Sequence, residues 1–194
     1  MSSVKDITGI ILAGGKSSRM GRDKGIVDLK GRAMIEHVIE SAKAVTHNII
    51  IIANNDNYNQ FGFPVYSDLI PERGPIGGIV TGLHYSQTDR NLILSCDIPF
   101  VSAELLRQLT ETKSEASIVA PETEEGTEPL CAIYRQSNAT YLRERINQNQ
   151  LSMRDALKAA DCYTIKISLD DSRRASFINI NTPQELKQFN SITA

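Results

Sequence analysis

Ile7-Thr8-Gly9-Ile10-Ile11-Leu12 runs without a break into Ala13-Gly14-Gly15-Lys16-Ser17-Ser18-Arg19-Met20-Gly21-Arg22-Asp23-Lys24, and this junction decides the fold. The apolar run is strand-sized and reads as a buried strand close to the N-terminus. It ends in paired glycines followed by cations at Lys16, Arg19, Arg22 and Lys24. Glycines let a backbone approach a ligand closely and expose its N–H groups, while the cations supply charge. Two familiar phosphate motifs fail on spacing. A P-loop ending at Gly15-Lys16-Ser17 needs its first glycine where Ile10 stands, and Gly9 misses by one. The dinucleotide fingerprint fails because Gly14 and Gly15 are adjacent and Gly21 lies too far on. By itself the loop reads either as a phosphate cradle or as a solvated basic connector.

The background sharpens that choice. The chain has 194 residues and a formal net charge of −2, so the basic loop is a local feature on a mildly acidic protein. That balance argues against nucleic acid or a membrane surface as a general partner. The length fits one domain over residues 1–194. No apolar run is long enough to span a bilayer, and the stretch before Ile7 is too short and polar for a secretion signal. Cys96, Cys131 and Cys162 show no C-x-x-C spacing, and His37, His47 and His84 form no cluster. Disulfides and a thiolate zinc site are therefore not expected, and a reducing cytoplasm is.

Outward from the loop, Ile35, Val38, Ile39, Ala42 and Val45 recur at helical spacing, and Ile49 to Ile52 read as a second buried strand. A polar loop over 54–60 leads to a short strand at Val65-Tyr66. Gly74-Pro75 opens a helix, Leu92 to Ser95 form a strand, and Ser102 caps the next helix. Strand, loop and helix in alternation predict βαβ units and a mostly parallel sheet with helices on both faces, an α/β architecture. The second half reads as a strand at Ala116–Ala120, an acidic loop from Glu122 to Glu128 and a strand at Cys131–Arg135. Two helices near 138–147 and 152–160 follow, then strands at Thr164–Leu169 and Phe177–Ile180. Thr182, Pro183 and Glu185 spell the start of a last helix with a capping box.

In parallel sheets ligands bind beyond the carboxyl ends of the strands. The glycine loop, Asp68 and Asp97 all follow strand ends, so they can meet in one crevice. Asp97 beside a triphosphate requires a cation between them, and Mg2+ suits one carboxylate plus phosphate oxygens. Otherwise Asp97 caps the turn before Pro99. Asp68 either accepts hydrogen bonds from a nucleoside or caps the turn before Pro71. Asn179 and Asn181 either complete a metal or phosphate shell or satisfy backbone groups at the last helix.

The ordered set Leu12-Ala13-Gly14-Gly15, Arg19-Met20-Gly21, Asp23-Lys24, Gly74-Pro75, Cys96-Asp97-Ile98-Pro99 and Asn179-Ile180-Asn181-Thr182-Pro183 resembles the nucleotidyltransferase superfamily. More narrowly it resembles the molybdenum cofactor guanylyltransferase family, over nearly the whole chain. Cytidylyl relatives tend to read L-A-A-G and G-D-x-P where this sequence has L-A-G-G and C-D-x-P. The resemblance implies a single Rossmann-like nucleotidyltransferase domain that moves GMP from GTP to molybdenum-loaded molybdopterin and releases pyrophosphate. It implies that Leu12, Ala13, Gly14 and Gly15 hold GTP, with Asp68 on the nucleoside. Lys24 and Arg19 would act on the phosphates, and Asp97 would bind GTP and Mg2+. Some relatives carry an Asn where this chain has Ile52; Asn54 lies two residues on. Pro129, Arg143, Arg145 and Arg154 either line a pterin pocket or lie on solvated faces. Transient contact with cofactor-biosynthesis or acceptor proteins also fits. The competing readings are cytidylyl transfer, a sugar-phosphate acceptor, or a non-catalytic GTP-binding module.

Overall fold

The computed structural model describes residues 7–13, 23–168 and 172–191. The strand that opens the chain, β1 (Ile7–Leu12), is buried along its whole length and lies in the middle of an eight-stranded sheet. Its side chains alternate between two cores. Ile7 and Ile11 enter one, Ile10 and Leu12 the other. On one side β1 pairs in parallel with β4 (Asn48–Ile52), which pairs with β5 (Val65–Tyr66); on the other it pairs with β6 (Arg90–Ser95). The sheet continues through β9 (Cys131–Arg135), β7 (Ile118–Thr123) and β10 (Cys162–Lys166). Helices α1 (Met34–Lys43) and α3 (Ala103–Glu111) cover the first face, through residues such as Ile35, Val38, Leu105 and Leu109. Helices α2 (Pro75–Tyr85), α4 (Asn138–Asn147) and α5 (Met153–Ala159) cover the second. Both faces are therefore covered, as the α/β reading requires.

Register aligns the strand tips. Leu12 stands level with Ile52 and Ser95. Just beyond, the Ala13 N–H donates to the Ile52 carbonyl (2.9 Å), Ala53 to Tyr66 (3.0 Å) and Cys96 to Leu12 (3.0 Å). Helix α2 starts at the same edge, where Gly74 at φ 66° makes a turn that an L side chain would strain. It then lies flush on β1, since a Cβ on Gly82 would collide with Ile10.

Three expectations need correcting. The acidic stretch after Pro121 is not an open loop: Glu122 pairs with Thr127 and Thr123 with Gly126, so β7 turns back into a short strand, β8 (Gly126–Thr127). The Phe177–Ile180 segment is not a strand. Ser172–Phe177 form a 3-10 turn, and the Ile180 N–H donates to the Asp97 carbonyl (3.1 Å) instead of to a ladder. The strand expected at Thr164–Leu169 runs Cys162–Lys166, and Leu169 lies outside the described residues.

One feature places the second half of the site. Strand β9 runs antiparallel to both β6 and β7. Its beginning therefore lies at the edge where the parallel strands end, and the Ser95 N–H donates to the Leu130 carbonyl (3.0 Å). A small third core of Leu29, Met34 and Ile180, flanked by Phe100, Leu186 and Phe189, fastens two more pieces to this edge. They are the hairpin of β2 (Asp28–Leu29) with β3 (Arg32–Ala33), and the last helix, α6 (Pro183–Ser191). Among the described residues no helix is long and apolar enough to cross a membrane.

Candidate active site

Lys24, Asp97 and Asn181 come from the beginning, middle and end of the sequence and meet at the strand tips. The Lys24 ammonium donates to Asn181 Oδ1 at 2.7 Å and stands 3.9 Å from Asp97 Oδ2. Both charged side chains remain about one-fifth to one-quarter exposed (22% and 24%). A pair at that exposure contributes little to stability, so its placement speaks for chemistry.

Each member is held from behind. Lys24 opens a 3-10 turn (Lys24–Ile26) whose N-cap is Asp23. Asp23 Oδ1 accepts from the Gly25 N–H (3.2 Å) and from the Tyr58 hydroxyl, while Oδ2 accepts from Asn55 Nδ2 (2.6 Å). Tyr58 is fully buried, and its burial pushes the phenol well above its ordinary range, so it remains a donor. Asn181 is positioned by the capping box of α6. Its N–H and that of Thr182 donate to Glu185 Oε2 (2.7 and 3.0 Å), while the Glu185 N–H donates to Thr182 Oγ1 (3.2 Å). The Asn181 backbone bond leads in holding the Glu185 carboxyl below the usual carboxylate range. Asp97 lies two residues beyond the end of β6, and its carbonyl accepts from the Ile180 N–H.

Leu12 and Ala13 lie where expected, buried at the tip of β1. Gly14, Gly15, Lys16 and Arg19 lie outside the described residues. Asp68 stands at the far end of the same edge, after β5. Its Oδ1 accepts from the Ile70 N–H (2.9 Å) and the Thr81 hydroxyl (2.8 Å), which is the turn-capping role. Its own N–H donates to Asn54 Oδ1 (2.8 Å), so Asn54 and Asp68 act as one corner beside β4. The Asp68 carboxylate also faces the first turn of α2, a favourable place for negative charge.

A cavity of about 280 Å³ opens beside Asp97, bounded by Pro129, Arg154, Asn179 and Asn181. The arginines singled out by sequence thus separate. Arg154 reaches this cavity, Arg145 lies over the Tyr141 ring (5.9 Å), and Arg143 is exposed. Sequence reasoning missed three groups. Tyr58 and Asn55 sat in a stretch that read as a polar loop; a lone tyrosine among asparagines was the available signal. Glu128 stood in the acidic run and also faces the cavity.

Among the described residues, no activated nucleophile stands at this edge. Burial pushes the Cys96 and Cys131 thiols far above their ordinary range, and Cys162 up to about 11. The His37 ring lies against the Leu29 carbonyl (3.0 Å), while His47 and His84 are exposed. The chemistry left to these residues is charge stabilisation and positioning of ligands that carry their own reactive groups.

Residues 9–163 match the family described as the MobA-like NTP transferase domain. A probable molybdenum cofactor guanylyltransferase of Flavobacterium johnsoniae is 36% identical over 188 residues, covering 96% of this chain and 98% of the relative. The molybdenum cofactor guanylyltransferase of Vibrio parahaemolyticus is 34% identical, covering 94% of each. Among solved structures, the molybdopterin-guanine dinucleotide biosynthesis protein A of Archaeoglobus fulgidus superposes with a TM-score of 0.78 at 26% identity. It covers 95% of this chain and 97% of its own.

Proposed function

This chain belongs to the MobA-like NTP transferase family, and on that basis we propose that it transfers GMP from GTP to molybdenum-loaded molybdopterin. The observation that carries the proposal is the meeting of Lys24, Asp97 and Asn181 at the aligned strand tips, beside a cavity that also holds Arg154. Residues 1–194 act as one nucleotidyltransferase unit, working in the cytoplasm.

In the reaction a terminal phosphate oxygen of the pterin attacks the α-phosphorus of GTP. A new P–O–P linkage forms, the bond from the α-phosphorus to its bridging oxygen breaks, and pyrophosphate leaves with that electron pair. An ionised phosphate already attacks, so no general base is needed. The backbone at Leu12 and Ala13, with Gly14 and Gly15, holds the nucleotide at the tip of β1, and the Asp68 corner faces the nucleoside. Lys24 and Arg19 oppose the charge that grows on the departing pyrophosphate. Asp97 fits Mg2+, with amide oxygens close by; bound there with phosphate oxygens, the ion would screen the repulsion between the two anions. Among the described residues no group of three His, Cys, Asp or Glu side chains forms a cage. That suits an ion held chiefly by the nucleotide's phosphates.

The test is direct. Incubated with molybdenum-loaded molybdopterin, Mg2+ and GTP, the chain should yield the guanine dinucleotide by mass together with pyrophosphate. The same mixture with CTP should yield far less product. Preference for CTP would move the chain to the cytidylyl reading. Saturable GTP binding without product would make it a binding module.

A further inference from the structure

Glu128 is a carboxylate without a hydrogen-bond donor. It follows β8 with its backbone fixed, its N–H donating to Pro121 (2.9 Å) and its carbonyl accepting from Cys131 (3.3 Å). The side chain is half-buried, yet no described residue donates a hydrogen bond to it. Burial raises its carboxyl pKa, the charge of Glu125 adds to this, and Arg154 only partly opposes it. A half-buried carboxylate in this state is open to N–H donors that a ligand brings.

Its position says where that donor comes from. Glu128 and Phe177 form the wall shared by the cavity beside Asp97 and a second one of about 350 Å³. The two differ in character. The first holds Arg154 and Asn181 beside Asp97, and so suits a phosphate that arrives with its cation. In the second, the Arg174 guanidinium is paired with Glu124 and Glu125, and the carboxylates of Glu125 and Glu128 supply acceptors. Ile178 and Phe177 supply apolar surface there. A ligand spanning both cavities would carry a phosphate at one end and a flat, donor-bearing ring at the other.

We propose that Glu128 recognises the acceptor's pterin ring by accepting paired hydrogen bonds from its 2-amino group and adjacent ring N–H, with Phe177 against the ring. Two parallel N–H donors on a planar edge match a carboxylate's two oxygens. The inference rests on the proposed acceptor being a pterin. Guanine presents a similar edge, so the experiment separates the two rings.

Molybdopterin is titrated by its pterin fluorescence, and GTP with Mg2+ by calorimetry, against the full chain and its Glu128→Gln and Glu128→Asp variants. Glu128→Gln should bind molybdopterin roughly tenfold more weakly, with GTP affinity within about twofold of the parent. Glu128→Asp keeps the acceptor pair and should fall between the two. An unchanged thermal midpoint shows that folding is not the cause. Equal molybdopterin affinity in Glu128→Gln, loss of GTP affinity instead, or no molybdopterin binding by the parent chain would overturn the inference. A parent chain that binds molybdopterin through Glu128 but forms no guanine dinucleotide would overturn guanylyl transfer alone and leave the pterin contact standing.

Discussion

Asp23 decides where Lys24 points, and Tyr58 decides where Asp23 points. The Tyr58 hydroxyl, the Asn55 amide and the Gly25 N–H all converge on one carboxylate. A Cβ on Gly25 would collide with the Tyr58 hydroxyl, so the turn and the tyrosine fit only as a pair. Removing the hydroxyl in Tyr58→Phe leaves Asp23 one donor short, a loss of roughly 1–3 kcal/mol shared between stability and alignment. Steady-state kinetics should show kcat falling roughly tenfold with the KM for GTP nearly constant, because Lys24 is still present but its turn is less firmly held. A pure loss of stability would lower the thermal midpoint and leave kcat per folded molecule intact. Lys24→Ala removes the cation itself, and kcat should drop about a hundredfold or more. Its thermal midpoint should barely move, since a partly exposed pair contributes about 0–1 kcal/mol. Near-normal turnover in Lys24→Ala would refute the phosphate role.

At the level of elements, α6 reaches the site through its cap. Glu185 accepts from the Asn181 and Thr182 N–H groups and so fixes the residue that Lys24 grips. Those bonds hold its folded carboxyl below the usual range, and the sign of the pH effect follows. The contribution is complete above the unfolded pKa and is lost as pH falls through the depressed folded value. Glu185→Ala should therefore be less stable than the parent at pH 7, and urea melts of the two should converge in strong acid. A gap that persists in strong acid would mean that packing, not the capping carboxylate, joins α6 to the site. This cap was legible in the sequence because Thr182-Pro183-Gln184-Glu185 follows local stereochemistry. So were β1, β4 and β6, whose unbroken apolar runs suit a strand buried on both faces. The direction of β9 was not legible, because an apolar run looks the same in either sense. The β7–β8 hairpin was hidden by its acidic composition. Phe177-Ile178-Asn179-Ile180 imitated a short strand by its apolar content, although only Ile180 of the four is buried. The Asp23–Tyr58 contact spans thirty-five positions, and no local pattern encodes it.

Across the whole molecule, stability is unevenly spread, and the site lies on the boundary. The two large cores clamp β1, β4 and β6 from both faces. The lip of the site rests on the third core, where only Leu29, Met34 and Ile180 are fully enclosed, and α6 has no buried residue. Segments with few buried apolar contacts open locally at a lower free energy than the core. Opening here would release Ile180 from Asp97 and Asn181 from Lys24 together, since both links run through residues 180–181. Native-state hydrogen exchange should thus show amides of 28–33 and 180–190 exchanging well before those of β1 and β6. GTP with Mg2+ should slow the lip more than the core, because the ligand adds contacts on both sides of the Lys24–Asn181 link. Chelating the metal should remove most of that added protection while the core amides stay unchanged. Uniform slowing of lip and core would instead mean that GTP stabilises the molecule globally, without closing the lip upon it.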